Sequence, residues 1–198
     1  MSQVWLVTGS SRGLGRAIVE AGLLAGNKVL ATARDIGSLR ELSERYGEQV
    51  KLFALDVTDE SSAAAAVRAA IDAFSSLDVV INNAGYGNLS SVEDTPISDF
   101  RAQIETNLFG TIIVTKAALP YFRERKAGHF IQFSSVSGRY EGLIWNPHTR
   151  NWSAIKFSEC PMIFCTRSSV FSNIFVTTAS SSSRLPTIIS AVRRSAKS

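Results

Sequence analysis

Short apolar runs alternate with stretches in which apolar residues recur every three or four positions, from Val4 to Ser134. Continuous apolar runs are typical of strands buried on both faces, and the longer spacing is typical of the helices that cover them. The runs predict strands at residues 4–8, 28–33, 50–55, 78–82 and 129–134. The spacing predicts helices at residues 14–25, 38–46, 59–74 and 97–119. This alternation predicts an α/β fold, with a doubly wound parallel sheet of about five clear strands.

The pattern and the composition both change near residue 142. All 13 glycines lie at or before Gly142, serine becomes frequent after Cys160, and no acidic residue follows Glu159. We therefore expect a folded domain over residues 1–159, supported best to about residue 142, and a weakly structured, serine-rich basic tail over residues 160–198. No comparable pattern predicts a sixth or seventh strand. One hypothesis is that an out-of-frame or mis-spliced translation produced this segment.

The formal charge of +4 changes the picture little, because five basic residues of the tail account for it. The remaining 16 basic and 17 acidic residues nearly cancel, so a nucleic-acid partner is not expected. No apolar run is long enough to cross a bilayer, the apolar N-terminal run has no basic residues before it, and only two cysteines occur. We expect a cytoplasmic protein without a membrane partner or a metal site.

A glycine-rich turn joins the first predicted strand to the first predicted helix, where residues 8–15 read TGSSRGLG. Such a turn lets the backbone approach a pyrophosphate, whose charge is stabilised by the N–H groups and the dipole of the helix N-terminus. The turn therefore predicts a Rossmann-type dinucleotide-binding domain. The expected cofactor contacts in it are Gly9, Ser11, Arg12, Gly13, Leu14 and Gly15.

Two arginines favour NADP over NAD. A site selective for NAD usually places a carboxylate after the second strand, where it accepts the ribose 2′-OH, whereas an arginine there accommodates a 2′-phosphate. Here Ala33 stands where the carboxylate would be, Arg34 follows it, and Arg12 adds a second cation from the glycine turn. NAD stays open as the alternative, because a shift of one residue would let Asp35 reach the ribose.

The spacing of the glycine turn resembles that of the short-chain dehydrogenase/reductase family, and four further motifs agree in order along the chain. They are Asp56-Val57, Asn82-Asn83-Ala84-Gly85, Asn107 within TNLFG, and Ser134-Ser135. The resemblance implies that Asp56 and Val57 contact the adenine side, that Asn83, Ala84 and Gly85 line the nicotinamide side, and that Asn107 supports a proton-relay water. Ser135 is the implied catalytic serine.

The family's chemistry also needs a tyrosine as general acid and base, with a lysine four residues later. The segment that resembles this motif is residues 152–157, WSAIKF, so Lys156 is present and Trp152 stands at the tyrosine position. An indole N–H donates a hydrogen bond but does not deliver a proton at accessible pH. His148 and Tyr140 are poor substitutes, because neither has a lysine four residues later.

The resemblance implies an NADP(H)-dependent oxidoreductase that acts on a small-molecule alcohol or ketone, and it allows a homo-oligomer. The missing tyrosine predicts that this chain is inactive or nearly so. Two alternatives stay open: a non-catalytic dinucleotide-binding protein, and a truncated product without a stable fold.

Overall fold

The computed structural model describes residues 2–88 and 90–133, together with the backbone of two short strands farther along the chain. Strand and helix alternate, with short 3-10 helices at Ile36–Leu39 and Gly47–Gln49 and a π-helical turn at Glu105–Phe109. The strands are β1 (Val4–Val7), β2 (Lys28–Ala33), β3 (Val50–Ala54), β4 (Val79–Asn82), β5 (His129–Gln132), β6 (Gly142–Asn146) and β7 (Asn151–Ile155). The helices are α1 (Gly13–Leu24), α2 (Arg40–Tyr46), α3 (Glu60–Phe74), α4 (Ile97–Ile104) and α5 (Gly110–Arg125).

Five strands form one parallel sheet in the order β3-β2-β1-β4-β5. Side chains alternate between its faces, so Leu6, Leu30 and Val80 pack with α3 and α5, whereas Val7 and Val29 pack with α1 and α2. Both faces are covered, which is why the strands are nearly continuous apolar runs. The predicted α/β fold with a doubly wound parallel sheet is confirmed. The chain reverses its direction of winding between β1 and β4, which makes the crevice above their carboxyl ends the expected ligand site.

The long helix predicted at residues 97–119 differs from the observed one in two ways. It is divided into α4, the π turn and α5, and it continues past Pro120 to Arg125. Proline lacks the N–H that would bond to the carbonyl of Lys116. Both residues are exposed, so water can satisfy that carbonyl and the helix continues. It ends at Arg125, and the C-cap residue Lys126 has a left-handed φ of 52°.

The segment around Trp152 also differs from what the resemblance implies. The family motif needs a helical turn there, but Asn151–Ile155 is a strand that pairs antiparallel with Gly142–Asn146. A strand rises about 3.3 Å per residue, so it does not bring residues four apart side by side as a helix does. Ser135, Lys156 and the serine-rich tail lie outside the described residues.

Candidate dinucleotide-binding site

Thr8 connects the ends of β1 and β4 at the point where the sheet changes winding direction. Its side chain, which is 1% exposed, accepts hydrogen bonds from the backbone N–H groups of Asn83 at 3.0 Å and Ala84 at 2.9 Å. In return, the Asn83 carboxamide donates to the carbonyl oxygens of Thr8 and Gly9, each at 3.1 Å. The glycine turn and the loop after β4 are thereby held together as one unit. We call the contact of these four residues the Thr8 clasp.

Two glycines of the turn are required by close packing. A Cβ on Gly9, which has a φ of 67°, would lie 2.8 Å from the Cα of Ala84. A Cβ on Gly15 would lie 2.1 Å from the carbonyl oxygen of Gly9. Gly13 is different, because it has a φ of 56° but its Cβ would meet no atom within 4 Å. Its outer side leaves the room that a phosphate group needs to approach the N-terminus of α1.

A second set of buried hydroxyl groups fixes the turn against β2. The Ser10 side chain is fully buried, donates to the Val7 carbonyl at 2.9 Å and accepts from the Thr32 backbone N–H at 3.3 Å. The Thr32 hydroxyl also donates to the Val7 carbonyl, at 3.0 Å. Neither Ser10 nor Thr32 was among the predicted site residues. Each is a small hydroxyl residue close to the end of one of two neighbouring apolar runs, and this pattern could have identified them.

The N-terminus of α1 opens toward a surface cavity. Arg12 is the N-cap residue, and its side chain forms no capping hydrogen bond, so the first N–H groups of the helix have no side-chain acceptor from the cap. The cavity has a volume of about 360 Å³ and is lined by Ser11, Arg12, Ala33, Arg34, Asp35 and Ser38. Leu14, also predicted as a cofactor contact, is half-buried and packs against the core on the α1 face of the sheet.

The two arginines that line this cavity differ from Arg16, which follows Arg12 by one helical turn. Arg16 bonds to the carboxylates of Glu20 at 2.8 Å and Glu41 at 2.9 Å, which neutralise its charge. Arg12 and Arg34 are exposed and form no ion pair within the described part of the chain. The cavity therefore has two cations available for an anion.

Asp35, the residue that kept NAD open as the alternative, is engaged by its own backbone. Its Oδ1 accepts a hydrogen bond from the Gly37 N–H at 2.8 Å and caps the 3-10 helix at Ile36–Leu39. The Ser38 hydroxyl donates to the Asp35 carbonyl at 2.6 Å. One carboxylate oxygen is thus used by the helix cap, while Oδ2 accepts no hydrogen bond within the described chain, so NAD stays open as the alternative.

Asp56 and Val57 follow β3, and only the first is exposed. The Thr58 backbone N–H at 3.0 Å and the Thr58 hydroxyl at 2.7 Å both donate to Asp56 Oδ1. These two bonds lower the pKa of Asp56, and the nearby charge of Arg34 lowers it further. Val57 is 8% exposed, and its side chain packs so closely on Gly110 that a Cβ there would lie 2.5 Å from it. Any contact of Val57 with a ligand would thus come from its backbone.

Asn107 lies in the π turn and holds the loop after β4. Its Oδ1 accepts from the Tyr86 N–H at 3.0 Å, and its Nδ2 donates to the Tyr86 carbonyl at 2.7 Å. A Cβ on Gly85 would approach Asn107 Oδ1 to 3.1 Å, so the glycine permits this contact. The backbone carbonyl of Asn107 accepts from the Thr111 hydroxyl at 3.0 Å. The carboxamide thus holds the backbone of Tyr86 through two hydrogen bonds, and its support of a proton-relay water stays a prediction.

None of the helices among residues 2–88 and 90–133 has the length and hydropathy needed to cross a bilayer. In the same part of the chain, no group of three His, Cys, Asp or Glu side chains is arranged to hold a metal ion. The predicted catalytic residues Ser135 and Lys156 lie outside it.

The strand order and the glycine turn at the winding reversal define a Rossmann-type α/β fold. A family model described as short chain dehydrogenase matches residues 3–158, a range that includes residues 152–157. The chain therefore belongs to the short-chain dehydrogenase family.

Among its relatives, oxidoreductase BOA17 of Botryotinia fuckeliana is 50% identical over 140 residues, which are 70% of this chain and 51% of that protein. A short-chain dehydrogenase from Streptomyces avermitilis has a similar solved structure, with a TM-score of 0.68 and 36% identity over 72% of this chain and 52% of that one. The NADP-bound structure of ElxO is also similar, with a TM-score of 0.66 and 28% identity over 71% of this chain and 58% of that one. The chain thus spans about half the length of the relatives it matches.

Proposed function

We propose that this chain binds NADP(H), with the 2′-phosphate held between Arg12 and Arg34. The observation that carries the proposal is that both guanidinium groups border the cavity and form no ion pair within the described chain. Guanidinium groups suit this task because they stay charged and bind phosphate through paired N–H donors. The NADP-bound structure of ElxO supports the choice.

The rest of the turn fits a dinucleotide. Gly13 leaves open space beside the N-terminus of α1, where uncapped N–H groups would receive the pyrophosphate. Asp56 has bonds from Thr58 only at Oδ1, so Oδ2 remains for an adenine amino group. The Thr8 clasp fixes Asn83 and Ala84 beside Gly9, on the side where the nicotinamide would lie.

We also propose that the chain is an oxidoreductase of alcohols or ketones by descent, and that this form of it turns over slowly or not at all. When bound, the nicotinamide would accept or donate the hydride. The protein would supply orientation through Asn107 and the loop after β4, a hydroxyl from Ser135 and an ammonium from Lys156. Trp152 cannot supply the proton that a tyrosine would. A non-catalytic dinucleotide-binding protein is the second candidate, favoured by the strand at Asn151–Ile155.

The proposal also covers the domain boundaries, the cellular location and the partners of the chain. We infer a dinucleotide-binding domain over residues 1–159 and a separate basic tail over residues 160–198. We further propose that the protein works in the cytoplasm on a small-molecule substrate, and that it can form a homo-oligomer. These statements rest on the composition of the chain and its family membership.

Titration of the chain with NADPH and with NADH, followed by nucleotide fluorescence, tests the cofactor proposal. Arg34→Ala and Arg12→Ala should each weaken NADPH binding by roughly 10-fold or more, since each removes one charge-assisted contact with the phosphate. NADH binding should change little. Arg68→Ala is the matched control, because Arg68 is exposed on α3 on the opposite face of the sheet. An equal loss for both nucleotides would contradict a 2′-phosphate site.

A ketone panel with NADPH tests the proposed loss of activity. The unaltered chain should show no turnover above background, and Trp152→Tyr should restore it only if the strand at Asn151–Ile155 can give way to a helical turn. Turnover by the unaltered chain would overturn the view that the missing tyrosine prevents catalysis. Failure of both chains, with NADPH binding intact, would favour the non-catalytic binding protein.

A further inference from the structure

A small polar layer closes the apolar core where β4 and β5 end. Asn82 and Gln132 are the last residues of the two strands and pair with each other in register. Two residues earlier on the same face, Val80 and Phe130 belong to the apolar core that α5 covers. The sheet thus places two carboxamides side by side beneath α5, directly before the Asn83 loop and the Ser134-Ser135 pair.

Both carboxamides converge on one hydroxyl of α5. Asn82 Nδ2 donates to Thr115 Oγ1 at 3.0 Å, and Gln132 Nε2 donates to the same oxygen at 3.1 Å. The single proton of that hydroxyl goes to the Thr111 carbonyl at 2.7 Å. A hydroxyl has one donor and two acceptor sites, so Thr115 Oγ1 is saturated. Its proton cannot also satisfy a carboxamide oxygen.

The other end of each carboxamide has no partner. Asn82 Oδ1 and Gln132 Oε1 are buried and accept no hydrogen bond from the described residues. Asn82 as a whole is only 4% exposed, so bulk water does not reach it freely. Exchanging the oxygen and nitrogen positions of either carboxamide would place an oxygen against Thr115 Oγ1, whose one proton is already donated to the Thr111 carbonyl. A buried polar atom left in this state is costly, so a partner is expected.

We propose that one water molecule binds between Asn82 Oδ1 and Gln132 Oε1. Water has two protons to donate, one for each oxygen, and ordered buried waters typically have two to four polar partners. A metal cation fits poorly, because Mg²⁺ and Ca²⁺ require about six or more oxygen ligands. The bound water would tie the ends of β4 and β5 together, and so hold the start of the Asn83 loop in place against β5.

A high-resolution crystal structure of the full chain tests the site. We expect one solvent peak at about 2.8 Å from both Asn82 Oδ1 and Gln132 Oε1. Gln132→Met, which has a side chain of similar length without an amide, should lose the peak. Gln49→Met is the matched control, because its amide bonds only to the Leu23 and Asn27 carbonyls at the far end of the sheet and the peak should remain.

Solution NMR gives a second readout that needs neither crystals nor a variant. A long-lived water should give negative-sign cross-relaxation to the side-chain amide protons of Asn82 and Gln132 and to the Thr115 methyl group. Two results would overturn the proposal: no solvent peak and no water contact in the unaltered chain, or an oxygen-rich coordination shell that identifies a cation. The site is independent of nucleotide binding, so its failure leaves the NADP(H) proposal untouched.

Discussion

The two sides of the glycine turn are built on opposite principles. Toward β4, Thr8 is 1% exposed, and the clasp it forms is made of backbone and side-chain hydrogen bonds within the protein. On the outer surface, beyond the buried Ser10 and Thr32 that hold the turn against β2, Arg12 and Arg34 are exposed and have no ion-pair partner in the described chain. Buried polar groups need hydrogen-bond partners within the folded protein, whereas exposed charges are solvated by water and remain available to bind a ligand. The first side therefore sets the shape of the site, and the second sets what binds there.

The largest expected effect on stability comes from adding a methyl group on the buried side of the turn. Gly15→Ala should destabilise the chain by about 3 kcal/mol or more, because overpacking against rigid atoms is costly. The new Cβ would lie 2.1 Å from the Gly9 carbonyl oxygen, which belongs to backbone and cannot easily move. Urea unfolding measures the loss as a lower midpoint.

Gly13→Ala is the matched control, because Gly13 has a φ of 56° and an open environment. It should lose only about 1 kcal/mol, the cost of a left-handed backbone for a residue with a Cβ. Equal losses at the two positions would mean that backbone conformation, not close packing, determines which glycines the turn requires.

Removal of the central hydroxyl should have the next largest effect. Thr8→Val keeps the shape of the side chain but leaves the N–H groups of Asn83 and Ala84 without their acceptor. We expect a loss of about 2 kcal/mol in the free energy of unfolding, since unpaired buried donors keep their desolvation penalty. Thr8→Ser retains the hydroxyl and should lose about half as much. If serine and valine were equally damaging, the methyl packing of Thr8 would matter more than the clasp.

The sequence was sufficient for the parallel sheet. All five strands of the parallel sheet were predicted, because strands buried on both faces are apolar along their whole length. The glycine turn was recognisable for a similar reason. A positive φ at Gly9 and a close approach at Gly15 both require glycine, so the residue types themselves reveal the constraint.

Hydrogen bonds between side chains and backbone could not be predicted in the same way. Asp35 caps the next turn through Oδ1, a contact that depends on the backbone conformation at Gly37 and that its sequence position did not reveal. The π turn at Asn107 and the continuation of α5 past Pro120 depend likewise on which carbonyls water or a neighbour can satisfy. The strand at Asn151–Ile155 departs from a family pattern whose tyrosine is already missing.

The smallest expected effect tests the exposed side. Asp56 is exposed, so its bonds to Thr58 should contribute less than about 1 kcal/mol after solvent screening. Its pKa lies below the ordinary value of 3.8 because the folded state favours the carboxylate. This contribution is therefore present above the unfolded pKa and is lost as the pH falls through the lower, folded pKa.

Asp56→Asn isolates that contribution, because asparagine keeps an acceptor oxygen for Thr58 but does not titrate. The difference in Tm between the unaltered chain and the variant should be constant above about pH 5 and should shrink as the pH falls below the ordinary pKa of 3.8. Other carboxylates titrate in both proteins and cancel in the difference. A difference in Tm as large as the one caused by Thr8→Val, or one that grows as the pH falls, would contradict this expectation. It would mean that the exposed side stabilises the fold as strongly as the buried side does.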